Sequence, residues 1–236
     1  MENPLVNSRW IAAFGAFALL GGGFYFATSS PDYSPITAAY AAERKTITAP
    51  NATLSEPEGE QTAIFAGGCF WGVEGVFEHV SGVTHVESGY VGGSKADADY
   101  DKVSDGLTRH AEAVRIVYDP SKVSYATLLH IFFSVAHDPT QLNRQGPDTG
   151  TQYRSAIFPQ NDAQKAAAES YIQQLGKAKI WRQPIVTMIE TGLFYAAEDN
   201  HQDYMKNNPK SSYILRFDVP KVRALKQLFP NIYRGK

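Results

Sequence analysis

At Gly68 the spacing of apolar residues changes period. "QTAIFAGG" (61–68) reads as a short buried strand, whereas "CFWGVEGVFEHVSG" (69–82) sets Phe70, Val73, Val76, Phe77 and Val80 close to helical spacing. The change falls on Cys69, the single cysteine of a 236-residue chain. A strand that runs straight into a helix is the unit from which helix-covered sheets are built.

The same alternation continues downstream. "AEAVRIVY" (111–118) alternates Ala113, Arg115 and Val117 against Val114, Ile116 and Tyr118, and stops at Asp119-Pro120. "SYATLLHIFFSVAH" (124–137) follows as an apolar helix opened by Ser124. "AIFP" (156–159) and "PIVTMIE" (184–190) read as strands, and "QNDAQKAAAESYIQQLGKA" (160–178) as a surface helix with Gly176 near its end. Between them, "DPTQLNRQGPDTGTQYRS" (138–155) is a long loop in which Pro139, Gly146, Pro147 and Gly150 forbid a helix. Loops of that length are often functional. The expected fold is α+β, a two-layer sandwich of a mixed sheet with covering helices, in a domain over 61–219 with a tail over 220–236.

Ahead of this domain, "WIAAFGAFALLGGGFYFA" (10–27) carries no charge and follows a single Arg9. It is apolar on all faces and membrane-directed. Residues 1–27 read either as a signal peptide, with Ala39-Tyr40-Ala41 as a small-x-small cleavage pattern, or as an uncleaved anchor. Residues 28–60, with Pro31, Pro35, Pro50 and Pro57 and no sustained apolar period, read as a flexible tether.

Composition removes several function classes. With 22 Lys+Arg against 24 Asp+Glu the net charge is -2, too little to hold a nucleic-acid backbone. One cysteine excludes an intramolecular disulfide framework and a multi-cysteine zinc site. His110, His137 and His201 lie near acidic residues, but no HExxH or paired-cysteine spacing accompanies them, and no metal is expected. "NRQGPDTGTQ" lacks the lysine of a phosphate loop.

The lone thiol has a functional setting. A cysteine reacts as its thiolate, and unpaired N–H groups at a helix N-terminus lower a thiol pKa, so a lowered value is expected for Cys69. Gly67 and Gly68 let the backbone come close, and Phe70 and Trp71 form an apolar wall beside the sulfur.

"GGCFWGVE", "RHAEAVRIVYDP", "HDPTQLNRQGPDTGTQYRSAIF" and "FYAAEDNHQDY", in that order, resemble the A-type peptide methionine sulfoxide reductases, which act on the S epimer. The resemblance runs from about Gln61 to Asp218. It implies that a thiolate attacks the sulfoxide sulfur, a carboxylic acid protonates the departing oxygen, and a cysteine sulfenic acid remains. Carried over residue by residue, Cys69 is the nucleophile, Phe70 and Trp71 hold the substrate methyl group, and Glu112 is the general acid. Tyr100 and Tyr153 hydrogen-bond the sulfoxide oxygen, and Asp148 is the loop aspartate of the substrate site. Glu112 can donate only if an apolar, water-poor site raises its pKa.

Two features depart from the family pattern. Many members recycle the sulfenic acid with a second cysteine, in the tail or in the segment that here reads "KVSDG"; this chain has Ser104 there and no cysteine in "KVRALKQLFPNIYRGK". The resemblance therefore implies no bound cofactor and an external thiol reductant such as thioredoxin, glutaredoxin or a similar donor. Arg109 stands where many members carry glycine, a change expected to affect the rim. The expected partners are oxidised proteins and peptides, a redoxin or small thiol, and a membrane through the N-terminal segment. A monomer is expected, exported to the periplasm or anchored to the inner membrane if the host is bacterial.

Two rival readings remain. Cys69, His110 and Glu112 could form the nucleophile, base and orienter of a thiol hydrolase. Alternatively, a tethered binding module could grip peptide methionines with Phe70 and Trp71 without turning them over.

Overall fold

A computed structural model describes residues 47–51 and 54–235. The segment 10–27 and most of the expected tether lie outside those residues. Among the described residues no helix is long and apolar enough to cross a membrane.

The core is a six-stranded sheet. β1 (Gln61–Gly67), β2 (Val83–Val91), β3 (Ala111–Tyr118), β6 (Ser155–Ile157), β7 (Met188–Ile189) and β8 (Phe194–Ala196) stand in the order β7-β6-β1-β3-β2-β8. The β6–β7 pair is parallel and the other pairs are antiparallel, so the sheet is mixed, as expected. A separate two-stranded ribbon pairs β4 (Arg144–Gln145) with β5 (Asp148–Thr149).

Strand alternation sorts the side chains by face. On β1, Ala63 and Phe65 join the main core, while Ile64 and Ala66 join a smaller cluster with Val91, Ala111, Ala113, Ala156 and Phe158. On β3, Val114, Ile116 and Tyr118 face the main core. Glu112 has the same parity and is directed to the same side.

The helices are α1 (Phe70–Glu78), α2 (Tyr100–Ser104), α3 (Tyr125–Ile131), α4 (Asp162–Ala178), α5 (Tyr204–Asn207) and α6 (Val219–Leu228). Side chains of Asp99, Ser124 and Asn161 accept N–H bonds at the starts of α2, α3 and α4. α3 runs on into a π-helical turn over Phe132–Ala136, and a second π-helical turn over Ile214–Asp218 leads into α6. Pro220 sits in the first turn of α6, where a missing N–H costs least.

Three sequence expectations change in detail. The strand expected over 184–190 pairs only at Met188–Ile189, because Pro184 has no N–H to offer and the amide of Val186 goes to the Pro139 carbonyl at 2.8 Å. The long loop 138–155 contains the β4–β5 ribbon, turned at Gly146-Pro147, and a 3-10 turn over Thr151–Tyr153. The tail 220–236 is mostly helix α6, with Leu225 fully buried and Val80 bridged to Tyr233.

The near end of the expected tether is held. Ile47 is buried, His130 Nε2 donates to its carbonyl at 3.0 Å, and the Tyr171 hydroxyl donates to the Thr48 carbonyl at 2.7 Å. Glu56 accepts from the Tyr118 hydroxyl and, at 2.8 Å, from the Tyr125 amide. Composition could not reveal this, because each contact pairs a polar group with a distant helix or strand.

Candidate active site

The site forms where β1 ends and α1 begins. Gly68 adopts φ +92°, a left-handed conformation that turns the strand onto the helix, and a Cβ there would lie 2.4 Å from Gln145 Cβ. Cys69 then occupies the N-cap position of α1 and is 8% exposed.

The electrostatics of Cys69 run against the sequence expectation. The Trp71 backbone N–H does favour the thiolate, but burial, followed by the nearby Glu112 and Asp218 carboxyls, outweighs it and holds the thiol well above its ordinary value. The resting sulfur is a thiol. A helix N-terminus acts locally, whereas desolvation and the two carboxyls arise only when distant segments converge.

Glu112 is 2% exposed, and its Oε2 accepts the Phe70 N–H at 3.0 Å. Burial raises its carboxyl from 4.5 to about 8; the Phe70 N–H opposes the rise and the Asp148 charge adds to it. At neutral pH the carboxyl is mainly protonated and can donate.

Aromatic rings line the remainder. Phe70 is fully buried and packs on Tyr90 and, in stacked fashion, Tyr100, with centroids at 5.8 and 6.4 Å. Trp71 lies parallel to Tyr204 at 3.7 Å, and its Nε1–H donates to His201 Nδ1 at 3.3 Å. His201 in turn stacks on Tyr100 at 3.9 Å, and burial pushes its imidazole pKa down, which suits an acceptor nitrogen. His201 thus packs and hydrogen-bonds beneath the Trp71 and Tyr100 rings. Tyr100 is pushed up to about 12, first by burial and then by the Glu112 and Cys69 charges. Tyr153, closing its 3-10 turn, is raised by burial and then by Glu112, Asp148 and Cys69. Both phenols therefore stay neutral donors.

The seven residues singled out in the sequence are thus brought together. Asp148 lies on β5; its Oδ2 accepts the Tyr213 hydroxyl, and burial raises its pKa against the pull of that bond and of Lys221. Five further residues escaped the sequence reading. Tyr204 backs Trp71, Tyr213 holds Asp148, and Glu198 accepts from both the Tyr90 hydroxyl at 2.8 Å and the Tyr100 amide at 2.9 Å. Asp218 and Lys221 form an ion pair at 3.1 Å near the sulfur. Glu198 and Tyr204 fall inside "FYAAEDNHQDY", which carries the resemblance without giving either a role, and Tyr213, Asp218 and Lys221 lie in none of the four motifs.

The hydrolase arrangement fails on geometry. His110 Nδ1 accepts the Gly93 N–H at 3.2 Å and Nε2 donates to the Ser94 carbonyl at 2.9 Å, leaving neither nitrogen for Cys69. His137 is likewise occupied, by the Phe132 carbonyl at 3.0 Å and the Ser155 hydroxyl at 2.7 Å. Arg109 is exposed at the rim of a groove of about 720 Å³ with Arg154 and Glu190.

Comparisons with known proteins place the chain in a family. Residues 61–231 match the family model described as peptide methionine sulfoxide reductase. Peptide methionine sulfoxide reductase MsrA 2 of Mesorhizobium japonicum is 63% identical over 179 residues, covering 75% of this chain and 92% of the relative. Among solved structures, methionine sulfoxide reductase A of Corynebacterium diphtheriae shares 37% identity at a TM-score of 0.55, covering 68% of this chain and 82% of that one. Reduced Mxr1 from Saccharomyces cerevisiae shares 30% identity at a TM-score of 0.59, covering 70% and 94%. This chain belongs to the peptide methionine sulfoxide reductase family.

Proposed function

We propose that the chain reduces methionine (S)-sulfoxide, in proteins, peptides and free form, to methionine through a sulfenic acid on Cys69. The observation that carries this reading is Glu112, a carboxyl kept protonated by burial and tied at 3.0 Å to the amide that follows the sulfur. A sulfoxide oxygen is a strong acceptor on an apolar group, so neutral donors inside an aromatic cage suit it.

Cys69 gives up its proton and its sulfur attacks the sulfoxide sulfur while Glu112 protonates the oxygen. The oxygen finishes on Cys69 as the sulfenic acid, the thioether leaves, and the proton shed by the thiol restores Glu112. Tyr100 and Tyr153 donate to the oxygen as its charge grows, and Phe70 and Trp71 hold the methyl group. Fixing methyl and oxygen together selects the S epimer.

The chain has no second thiol. An external thiol attacks the sulfenic sulfur, water leaves, and a mixed disulfide forms; a second thiol frees Cys69. Thioredoxin, glutaredoxin or a similar thiol serves as donor, and no step draws on a bound cofactor. Oxidised proteins and peptides are the substrates, so the reaction is a repair.

We propose, further, that the uncharged run 10–27 directs export, placing the domain in the periplasm or at the inner membrane of a bacterial host. A topology reporter fused after Lys236 tests this, and signal from the cytoplasm overturns it.

Mixed with excess methionine sulfoxide and no reductant, the protein makes about one equivalent of methionine per chain and stops, because one cysteine is oxidised once. The product traps with dimedone at Cys69, and a small thiol restarts turnover. Continuous turnover without reductant, or a burst with no trappable sulfenic acid, refutes the mechanism. A binding module without turnover would release no methionine.

A further inference from the structure

The ion pair of Asp218 and Lys221 has no part in the reaction just described, yet it lies against the first turn of α1. Asp218 is fully buried and the Lys221 side chain is 15% exposed, with Nζ 3.1 Å from Oδ1. A Cβ on Gly72 would lie 2.0 Å from Asp218 Oδ1 and 2.7 Å from Lys221 Nζ. Gly72 is the third residue of the helix whose N-cap is Cys69, roughly 4.5 Å along the axis at 1.5 Å per residue. The second oxygen of Asp218 is buried without a hydrogen-bond partner among the described residues, a costly arrangement for a pair with structural duties alone.

We propose that Lys221 is the counter-charge of the Cys69 thiolate, a positioning residue that acts through the sulfur and is steered by Asp218. Resting on the reductase reading for its purpose, the assignment gives the buried sulfur one cation to offset the carboxyls of Glu112 and Asp218. The two charges act on Cys69 in opposite senses, Asp218 raising its pKa and Lys221 lowering it. The other groups facing the sulfur are Glu112 on β3, Tyr100 on α2, Tyr153 on its 3-10 turn, and Tyr213 with its partner Asp148. At neutral pH Glu112 and the phenols are largely uncharged, which leaves Lys221 as the cation among them.

The test reads the thiolate directly and needs no sulfoxide. The alkylation rate of Cys69 by iodoacetamide is followed against pH by mass spectrometry in the full chain. Asp218→Asn removes the carboxylate that opposes Lys221 at the sulfur, and Asp218→Asn combined with Lys221→Met removes both charges. The single variant is expected to reach half-maximal rate about one pH unit below the double variant, or about tenfold faster alkylation near neutrality. Lys221→Arg in the native background keeps the native profile, because the cation is retained. Coincident profiles for the single and double variants overturn the proposal, as does a reversed order. If the asparagine variants fail to fold, the same contrast is read in Asp218→Ala with and without Lys221→Met. Reductase turnover of the native chain is measured separately. Its absence alongside the expected alkylation contrast would sink the reductase reading and leave the charge assignment standing.

Discussion

The backbone N–H of Phe70 donates to Glu112 Oε2 at 3.0 Å, so the amide next to the sulfur is tied directly to the carboxyl on β3. Through this bond the proton on Glu112 is held at a fixed place relative to Cys69, which a rigid strand and a helix terminus can guarantee and a loop could not.

Cys69→Ser should abolish reduction, by more than about a thousandfold, while leaving the fold unchanged. Serine fits the buried N-cap but is a poor nucleophile toward sulfur. Circular dichroism and a methionine-release assay check both halves, and substantial turnover in the variant would remove Cys69 from the chemistry.

Glu112→Gln keeps an oxygen for the Phe70 N–H and loses the proton, so kcat should fall by about 10²–10⁴. In the native enzyme kcat/KM should decline as pH rises through about 8, where the carboxyl ionises. A flat profile from pH 6 to 10 argues for another acid.

The same carboxyl makes stability depend on pH. Between its ordinary 4.5 and about 8 the folded protein holds a proton that the unfolded chain has shed. Its contribution is therefore full below 4.5 and is lost as pH rises to about 8. Near pH 9 Glu112→Gln should consequently be more stable than the native protein, by up to about 5 kcal/mol, and near pH 4 the gain should vanish. Urea unfolding at the two pH values decides it.

Tyr204→Ala removes the ring stacked 3.7 Å from Trp71. The loss is about 1 kcal/mol, so KM should rise roughly fivefold. kcat should change little, since Cys69 and Glu112 are untouched. A fall in kcat with KM unchanged would move Tyr204 from substrate holding to the chemical step.

Gly68→Ala places a side chain at φ +92° and against Gln145. Strain and overlap together should cost about 3 kcal/mol, read as a lower urea midpoint, and activity should fall because the turn aims the sulfur.

Much of the sheet was legible because two periods meet at Cys69 and because residues 111–118 alternate cleanly; Glu112 inherits its direction from that alternation. Cys69 stands out by itself as the lone cysteine where the periods meet, whereas Glu112, Tyr153 and Asp148 came from motifs matched to a family and Tyr100 from the same match at "DYDKVSDG"; periodicity alone would not have separated Tyr100 from the other tyrosines. Tyr213 and Asp148 are 65 residues apart, and Trp71 and His201 are 130 apart. No local pattern encodes such pairs. The sense of the Cys69 pKa shift was misjudged for the same reason: the helix terminus is written in the sequence beside the cysteine, while Asp218 and the burial come from the far end of the chain. Ile47, Thr48 and Glu56 looked like tether because their partners lie on α3, on α4, and on α3 and β3.

The burial of Cys69 has a consequence for how long each molecule lasts under oxidant. Every turnover leaves the sulfur one step from sulfinic acid, a form that ordinary thiols do not reverse. With no neighbouring cysteine to capture the sulfenic acid, the sulfur of a residue only 8% exposed is shielded chiefly by the walls around it. Donor thiol and peroxide must reach it by the same narrow approach, so the ratio of the two in the surroundings, more than the speed of the chemistry, sets how many repairs one molecule completes before it is retired.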